Sequence, residues 1–167
     1  MRESIDMRGQ LTVQLTDRDG RIVREQRHHN RIVRSGRQLV AQLFGGTTQG
    51  VPPSRVTHLA IGTSGAAPAD DQTALGAERS PRKPITELLY SDIDEPVPGG
   101  GGTTVRRVKA SLKAVYDFGE GNDPATPLRE AGIFTAETAG VMYNRVVFND
   151  VTKTDAFKLT LLWDIIF

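Results

Sequence analysis

The sequence predicts a mainly β protein, namely a single antiparallel β-sandwich or open barrel with one short capped helix at about residues 35–44. Three observations lead to this prediction. Apolar and polar residues alternate along several short segments, which is the pattern of half-buried strands. Turn signals separate these segments, and the 167 residues include 17 Gly and 9 Pro. One segment shows clear helical spacing. A chain of this length fits one domain and can bury a core.

The first part of the chain predicts a hairpin. Residues 10–16 alternate between polar and apolar, and Asp19-Gly20 is the strongest hairpin signal in the sequence. The return strand, residues 21–29, is very polar and is expected at a sheet edge. We therefore expect residues 1–29 to form an N-terminal β-hairpin or arm, and residues 30–167 to form the β-sandwich domain.

The helix is predicted from a capping pair and an apolar stripe. Ser35 is followed three residues later by Gln38, the spacing of a capping box in which each side chain bonds an amide at the helix start. The stripe consists of Leu39, Val40, Leu43 and Phe44.

The remaining strands follow from alternation and from apolar runs. They are expected at residues 58–61, 85–93, 104–118, 128–135, 141–148 and 157–167, with a short helical turn ending at Glu78. The Gly-rich segment 94–102 is expected to be a mobile loop. The last strand is apolar on both faces, so it must be central in a sheet or covered by another chain. We hypothesise that this strand, or the N-terminal hairpin, pairs with a neighbouring subunit.

Composition excludes several function classes. The net charge is +1, which favours neither a specific nucleic acid nor an anionic membrane as partner. Cysteine is absent, so disulfides, thiolate nucleophiles and Cys-bound zinc are excluded. The N-terminal MRESIDMRGQ is charged from its second residue and predicts no signal peptide. No apolar run has the roughly 20 residues of a membrane span, so no membrane insertion is expected.

The stretch Gly62-Thr63-Ser64-Gly65 follows a strand and therefore invites comparison with a phosphate-binding loop. A Walker loop needs a lysine directly after its last glycine, and here Ala66 follows. Asp70 and Asp71 would place negative charge where a phosphate should lie. We interpret the loop as structural.

The candidate catalytic groups do not form a recognisable set. The three histidines are adjacent (His28, His29) or alone (His58), which does not match a metal site. No G-x-S-x-G elbow occurs. Glu130 stands between apolar residues in a strand, and a buried carboxylate there needs an arginine or a backbone amide as partner. We therefore expect no enzyme activity, no cofactor and no metal.

The order of motifs resembles small structural proteins of tailed bacteriophages and related phage-tail-like particles. It runs NRIVRSGRQLVAQLFGG, VTHLAIGTSGAAPADDQTALGAER, a hairpin, LREAGIFT, VMYNRVVF and LTLLWDIIF. The matching positions are Asn30, Gly36, Arg37, Gly62, Thr63, Asp71, Leu75, Glu78, Glu130, Gly132 and Phe134. The resemblance covers about residues 30–167.

The resemblance implies a structural virion protein, acting as a subunit or adaptor of a phage tail, baseplate, fibre base or collar. It implies that the chain is made in the host cytoplasm, that its partners are copies of itself and other virion structural proteins, and that it is a homo-oligomer. We expect the assembly interface on the last strand and on the basic face of the strand at 104–118. Its residues would be Leu162, Asp164, Ile166, Phe167, Arg107 and Lys109.

Two alternatives remain open. One is a receptor- or carbohydrate-binding module of a phage tail, which needs exposed aromatic platforms. Trp163 lies in a core strand pattern and argues against this alternative, whereas Tyr90 and Tyr143 remain possible platforms. The other is a hydrolase carried on a tail, for which the sequence offers no catalytic set.

Overall fold

The structure is a computed structural model, which describes residues 7–45 and 54–167. Its described part has nine strands and one helix. They are β1 (Arg8–Thr16), β2 (Ile22–Ile32), α1 (Arg34–Gly45), β3 (His58–Gly62), β4 (Glu78–Pro84), β5 (Glu87–Pro96), β6 (Thr104–Tyr116), β7 (Leu128–Phe134), β8 (Met142–Val151) and β9 (Lys158–Ile166).

The nine strands form one open antiparallel sheet in the order β4-β3-β7-β8-β2-β1-β9-β6-β5. β2 joins two halves of this sheet, because its main length pairs with β1 and its last residues, Arg31 and Ile32, pair with β8. The halves pack against each other around a common core. The predicted class, an antiparallel sandwich or open barrel with one short helix, is confirmed.

The main core lies between the two halves of the sheet. β1 contributes Leu11, Val13 and Leu15, and β9 contributes the fully buried Trp163. A smaller cluster covers the outer side of the β3-β7-β8 half. Its members are Val33, Ala60, Leu75, Phe134 and Met142. Leu75 comes from the long connection between β3 and β4, so this connection covers part of one face of the sheet.

The predicted N-terminal hairpin is present, but it does not stand apart from the rest of the chain. β1 lies between β2 and β9, and its apolar residues belong to the common core. The first six residues of the predicted arm lie outside the described residues. The remainder of the hairpin therefore shares one sheet and one core with residues 30–167.

The predicted helix is present as α1, but the capping box is wrong. α1 begins at Arg34, so Ser35 is a helical residue, and its hydroxyl donates to the Met142 carbonyl (2.7 Å). Gln38 is exposed. A Cβ on Gly36 would collide with the Tyr143 carbonyl. This close contact between α1 and β8 places the Ser35 hydroxyl beside a strand carbonyl and not beside a helix amide.

Two other local predictions need correction. The expected helical turn before Glu78 is absent, and β4, which contains Pro81 and Pro84, begins there instead. β5 continues to Pro96, so the first residues of the predicted loop 94–102 are strand. The turn that follows is closed by the Val97 amide, which donates to the Thr103 carbonyl (2.9 Å).

Candidate interaction surface

Several of the positions that match the phage-protein motifs lie around a buried ion pair. Glu130 on β7 and Arg145 on β8 are both fully buried, and the Arg145 Nε donates to the Glu130 Oε2 at 2.7 Å. The Glu130 carboxylate also accepts from the amides of Ser64 (3.2 Å), Gly76 (2.9 Å) and Ala77 (2.7 Å). The expectation that Glu130 has an arginine or backbone amides as partners is confirmed, since it has both.

These contacts explain why the loop after β3 resembles a phosphate cradle. Backbone amides converge on one anion, as they do around a phosphate. The anion is the chain's own carboxylate, on Glu130. The loop is therefore structural, as predicted, and the carboxylate fixes the connection between β3 and β4.

The other motif residues permit this close packing. A Cβ on Gly62 would lie 2.5 Å from both the Ala77 carbonyl oxygen and the Glu130 Oε1. A Cβ on Gly132 would lie 2.9 Å from the Asn144 carbonyl oxygen. Both positions thus require glycine because main chains approach closely there.

Glu78 belongs to a neighbouring cluster. Its carboxylate accepts two bonds from Arg82, at 2.7 and 3.0 Å. The Arg82 guanidinium stacks 3.5 Å above the Phe134 ring and also donates to the carbonyls of Ala136 and Ala139. The matching positions of the motifs therefore serve close packing, hydrogen bonds and ion pairs within the chain.

The described residues hold no group of three or more His, Cys, Asp or Glu side chains that could bind a metal ion. His28 is partly buried beside Phe148, with ring centroids 6.3 Å apart, and burial lowers its pKa. His29 is exposed, and the His58 Nδ1 lies 2.8 Å from the Thr57 hydroxyl. Within residues 7–45 and 54–167, no helix has the length and apolarity that a membrane crossing requires.

The predicted interface residues do lie together, on the outer face of β6 and β9. Lys109 is opposite Ile166, and Lys113 is opposite Leu162. Their charges are paired within the chain. Lys109 lies 3.5 Å from Asp164, whose carboxylate also accepts a bond from the Ser111 hydroxyl at 2.6 Å.

Arg107 and Phe167, the other predicted interface residues, lie at the margins of this face. Arg107 lies 3.5 Å from Glu95 of β5. Phe167, which follows β9, is partly exposed beside a groove on the inner face. A partner on the outer face would therefore meet charges that are already paired.

The last strand cannot pair with another chain through its edges. β9 is hydrogen-bonded along its length to β1 on one side and to β6 on the other. The hypothesis that this strand adds to a neighbouring subunit is therefore wrong, whereas its alternative, pairing through the N-terminal hairpin, stays a prediction, since β2 pairs with β8 only at Arg31 and Ile32. The sequence left two possibilities for the last strand, a central place in the sheet or a cover from another chain. The structure shows the central place, which accounts for the apolar residues on both faces.

One free edge of the sheet lies at β5, and β2 has a further open side because it pairs with β8 only at Arg31 and Ile32. β5 has one hydrogen-bonded neighbour in the described part of the chain, β6. Its side chains are mostly exposed on both faces, and the exposed fraction is 39% for Leu88, 58% for Leu89 and 71% for Tyr90. Exposed apolar residues on an edge strand favour the addition of another chain, and on β5 they are concentrated at Leu88–Tyr90, before the acidic Asp92, Asp94 and Glu95.

The amides along this edge alternate in direction. The Val97 amide bonds to Thr103, and the register with β6 runs without a bulge from Glu87 to Pro96. In an antiparallel ladder alternate residues bond to the same neighbour. Odd-numbered residues of β5 therefore bond to β6, and Leu88, Tyr90 and Asp92 direct their amides and carbonyls towards the open side.

The opposite edge of the sheet is protected. β4 contains Pro81 and Pro84, and prolines lack the amide needed for strand addition. The Lys83 Nζ donates to Glu120 at 2.7 Å, which holds this strand against the loop after β6. No proline interrupts β5 before Pro96. The two edges therefore differ in their capacity to accept another strand.

An apolar groove of about 430 Å³ lies beside β5 on the inner face. Leu88 and Tyr90 form one wall, and Leu39, Val40 and Leu43 of α1 form the other. Tyr143 also lines it but is 96% buried (4% exposed), and burial raises its pKa to about 12. Tyr143 therefore cannot serve as an exposed aromatic platform, whereas Tyr90 can.

The residue pattern of 85–93 predicted the β5 strand but not its place at a sheet edge. Alternation alone does not say whether a strand is central or at an edge. The signal available was the combination Leu88-Leu89-Tyr90, which places apolar side chains on both faces of a strand that is otherwise largely acidic. No protein-family model, curated protein or solved structure matches this chain.

Proposed function

We propose that this chain is a structural virion protein, a subunit or adaptor of a phage tail, baseplate, fibre base or collar. It acts by assembling with copies of itself and with other virion proteins, and not by catalysis. The free edge of β5 carries the proposal. The resemblance of the motif order to small phage structural proteins supports a role in a phage or phage-tail-like particle. The exposed edge of β5 and the groove beside it support the mode of assembly.

Strand addition at β5 would use two kinds of interaction. The outward amides and carbonyls of Leu88, Tyr90 and Asp92 provide main-chain hydrogen bonds, which give affinity. The apolar groove provides a surface for alternate side chains of the added strand, which gives selectivity. Both features belong to one side of the molecule and serve the same partner.

The test compares the mass of the protein in solution with that of the Tyr90→Pro variant, by light scattering. Proline at this position removes an outward amide and leaves the bonds to β6 in place. We expect an oligomer for the natural chain and 18.2 kDa for the variant. The control is Phe44→Ser, which removes an aromatic ring that is 93% exposed on α1, away from the strand edge. An unchanged mass for Tyr90→Pro would contradict the proposal.

A second test addresses the particle itself. Tyr90→Pro is introduced into the phage or tail-like particle that encodes this chain, and particles are counted by electron microscopy. We expect incomplete particles with folded, unincorporated protein. Complete particles of normal number would contradict a structural role at this edge.

A receptor- or carbohydrate-binding module of a phage tail is the second candidate, because Tyr90 is a largely exposed aromatic side chain beside a groove. Sugar sites use such platforms. Trp163 is fully buried and Tyr143 nearly so, which leaves Tyr90 as the exposed one of the two platforms that the sequence suggested. A glycan array separates the candidates, since binding that Tyr90→Ser abolishes would favour the module.

A further inference from the structure

We propose that the partner at the β5 edge is a second copy of this chain, which pairs antiparallel through its own β5 about a twofold axis at Tyr90. This inference rests on the proposed function, because it requires that β5 accepts another strand. It adds the identity of the partner and the register of the pair.

Symmetry limits the possible registers. In an antiparallel pair, residues opposite each other point to the same face of the sheet. A twofold axis perpendicular to the sheet preserves the faces, so it must pass through a residue that lies opposite its own copy. The axis can therefore lie only at the position of a residue of β5, and not between two residues.

Charge selects among these registers. An axis at Ser91 would place Glu87 opposite Glu95 of the other copy, and an axis at Asp92 would place Asp92 opposite itself. Like charges directly opposite destabilise a strand pair. An axis at Tyr90 pairs Leu88 with Asp92 and extends from Glu87 to Ile93 with no two carboxylates opposite. It gives the longest overlap that avoids this repulsion.

The axis at Tyr90 also agrees with the direction of the backbone groups. Tyr90 directs its amide and carbonyl to the open side, as inferred from the bond between Val97 and Thr103. Two copies of Tyr90 would therefore exchange two hydrogen bonds across the axis. On each side of the axis, Leu88 of one copy would likewise exchange two hydrogen bonds with Asp92 of the other copy.

The acidic residues of β5 are compatible with the register at Tyr90, which places no carboxylate opposite another, and two of them also have partners within their own chain. Asp92 lies 3.1 Å from Arg106, and Glu95 lies 3.5 Å from Arg107 and also contacts Arg8. Tyr90 would meet its counterpart across the axis, and Leu88 would lie opposite Asp92 of the other copy. The two grooves would then lie next to each other on the same face of the joined sheet.

Cysteine cross-linking tests the register. The chain has no cysteine, so each variant carries one thiol per copy. In the proposed pair the Cα atoms of the two copies of residue 90 are about 5.5 Å apart, within disulfide range. We expect Tyr90→Cys to form a covalent dimer under mild oxidation. Leu88→Cys and Asp92→Cys are matched controls, because each would lie four positions, about 13 Å, from its own copy.

A charge pair tests the same register without cysteine. Leu88 lies opposite Asp92 of the other copy, so Leu88→Lys introduces opposite charges and Leu88→Asp introduces like charges, twice per dimer. Both replace one exposed leucine with a charged residue. We expect the dimer to persist with Leu88→Lys and to weaken by about tenfold or more with Leu88→Asp. Equal effects of the two variants would overturn the proposed register.

The outcomes distinguish this inference from the proposed function. If Tyr90→Pro abolishes assembly but Tyr90→Cys gives no covalent dimer and the two Leu88 variants behave alike, the partner at β5 is another protein. The inference is then overturned and the proposed function stands. If Tyr90→Pro leaves assembly unchanged, both fail. A covalent dimer at residue 90, together with the charge preference, supports both.

Discussion

Glu130 and Arg145 form an ion pair from which solvent is fully excluded, with the Arg145 Nε 2.7 Å from the Glu130 Oε2. The pair lies beneath the connection between β3 and β4, and the carboxylate holds three amides of that connection. One side chain therefore fixes both a neighbouring strand and a long loop. The phosphate-like geometry of this loop is a consequence of folding and not of ligand binding.

Replacement of Glu130 tests this role. Glu130→Gln leaves Arg145 charged, buried and without its carboxylate, and a charge left in this way costs about 3–5 kcal/mol. We expect a loss of this size in the free energy of unfolding, measured by urea denaturation. The control is Asp150→Asn, which breaks the exposed pair with Arg129 (2.7 Å) and should change stability little. A Glu130→Gln variant as stable as the control would refute the role.

Glycine at position 62 is required by close contact. Gly62→Ala places a methyl group 2.5 Å from the Ala77 carbonyl oxygen and from the Glu130 Oε1. We expect a loss of about 1–3 kcal/mol in stability from this overpacking, measured by thermal or urea unfolding. Gly65→Ala is the matched control in the same loop, because its nearest contact is 3.5 Å away. Similar melting temperatures for the two variants would contradict the contact.

Removal of the last strand should unfold the chain. β9 lies between β1 and β6 and carries Leu159, Leu161, Trp163 and Ile165 into the core. We expect deletion of residues 158–167 to abolish the cooperative unfolding transition and the near-ultraviolet circular dichroism signal. A folded monomer after this deletion would show that β9 is an assembly element and not a core strand.

Glu120 should make stability depend on pH. A hydrogen bond from Lys83 (2.7 Å) is the main cause that lowers the pKa of Glu120 below its ordinary 4.5, and a bond from the Asp117 amide adds to it. Its contribution to stability is therefore present above pH 4.5 and is lost as the pH falls through the lower, folded-state pKa.

Carboxyl chemical shifts measured by NMR against pH give this pKa directly. In Lys83→Met we expect the pKa of Glu120 to rise towards the ordinary value and the acid loss of stability to begin at higher pH. Asp150, whose pKa is lowered chiefly by a hydrogen bond from Arg129, serves as internal control and should titrate as before. A Glu120 pKa unchanged by this substitution would exclude Lys83 as the cause.

The sequence predicted the strand content because the main strands carry strict alternation. β1, β9 and the second half of β6 bury every second residue, as Leu11-Val13-Leu15 and Leu159-Leu161-Trp163 show. The helix was predicted for a similar reason, since its apolar stripe has the correct period. Buried Glu130 could also be predicted to need partners, because an apolar strand context demands them.

Other features depend on contacts between distant parts of the chain. β4 reads as a loop because it contains two prolines, and it is a strand because it pairs with β3 at the sheet edge. Lys153 is fully buried, with its Nζ bonded to the Asp117 carbonyl, the Asn122 side chain and the Thr154 carbonyl. A lysine in the turn-rich segment NDVTKTD gives no local sign of burial.

The candidate surface was not predictable for a related reason. Leu162, Asp164 and Ile166 were expected at an interface because β9 is apolar on both faces, but strand order places β9 inside the sheet. Edge position is a property of the whole topology. The same information that excludes strand addition at the edges of β9 shows that one side of β5 is open.

Amide hydrogen exchange of β5 tests the central claim most directly. The amides of Leu88, Tyr90 and Asp92 face the open side of the sheet in a single chain, whereas those of Leu89 and Ser91 bond to β6. Exchange is followed by NMR or mass spectrometry at protein concentrations below and above the change in mass. Assembly through β5 predicts that the three even-numbered amides become protected only at the higher concentration, in step with the mass. Persistent rapid exchange of these amides in the assembled protein would contradict assembly through this edge.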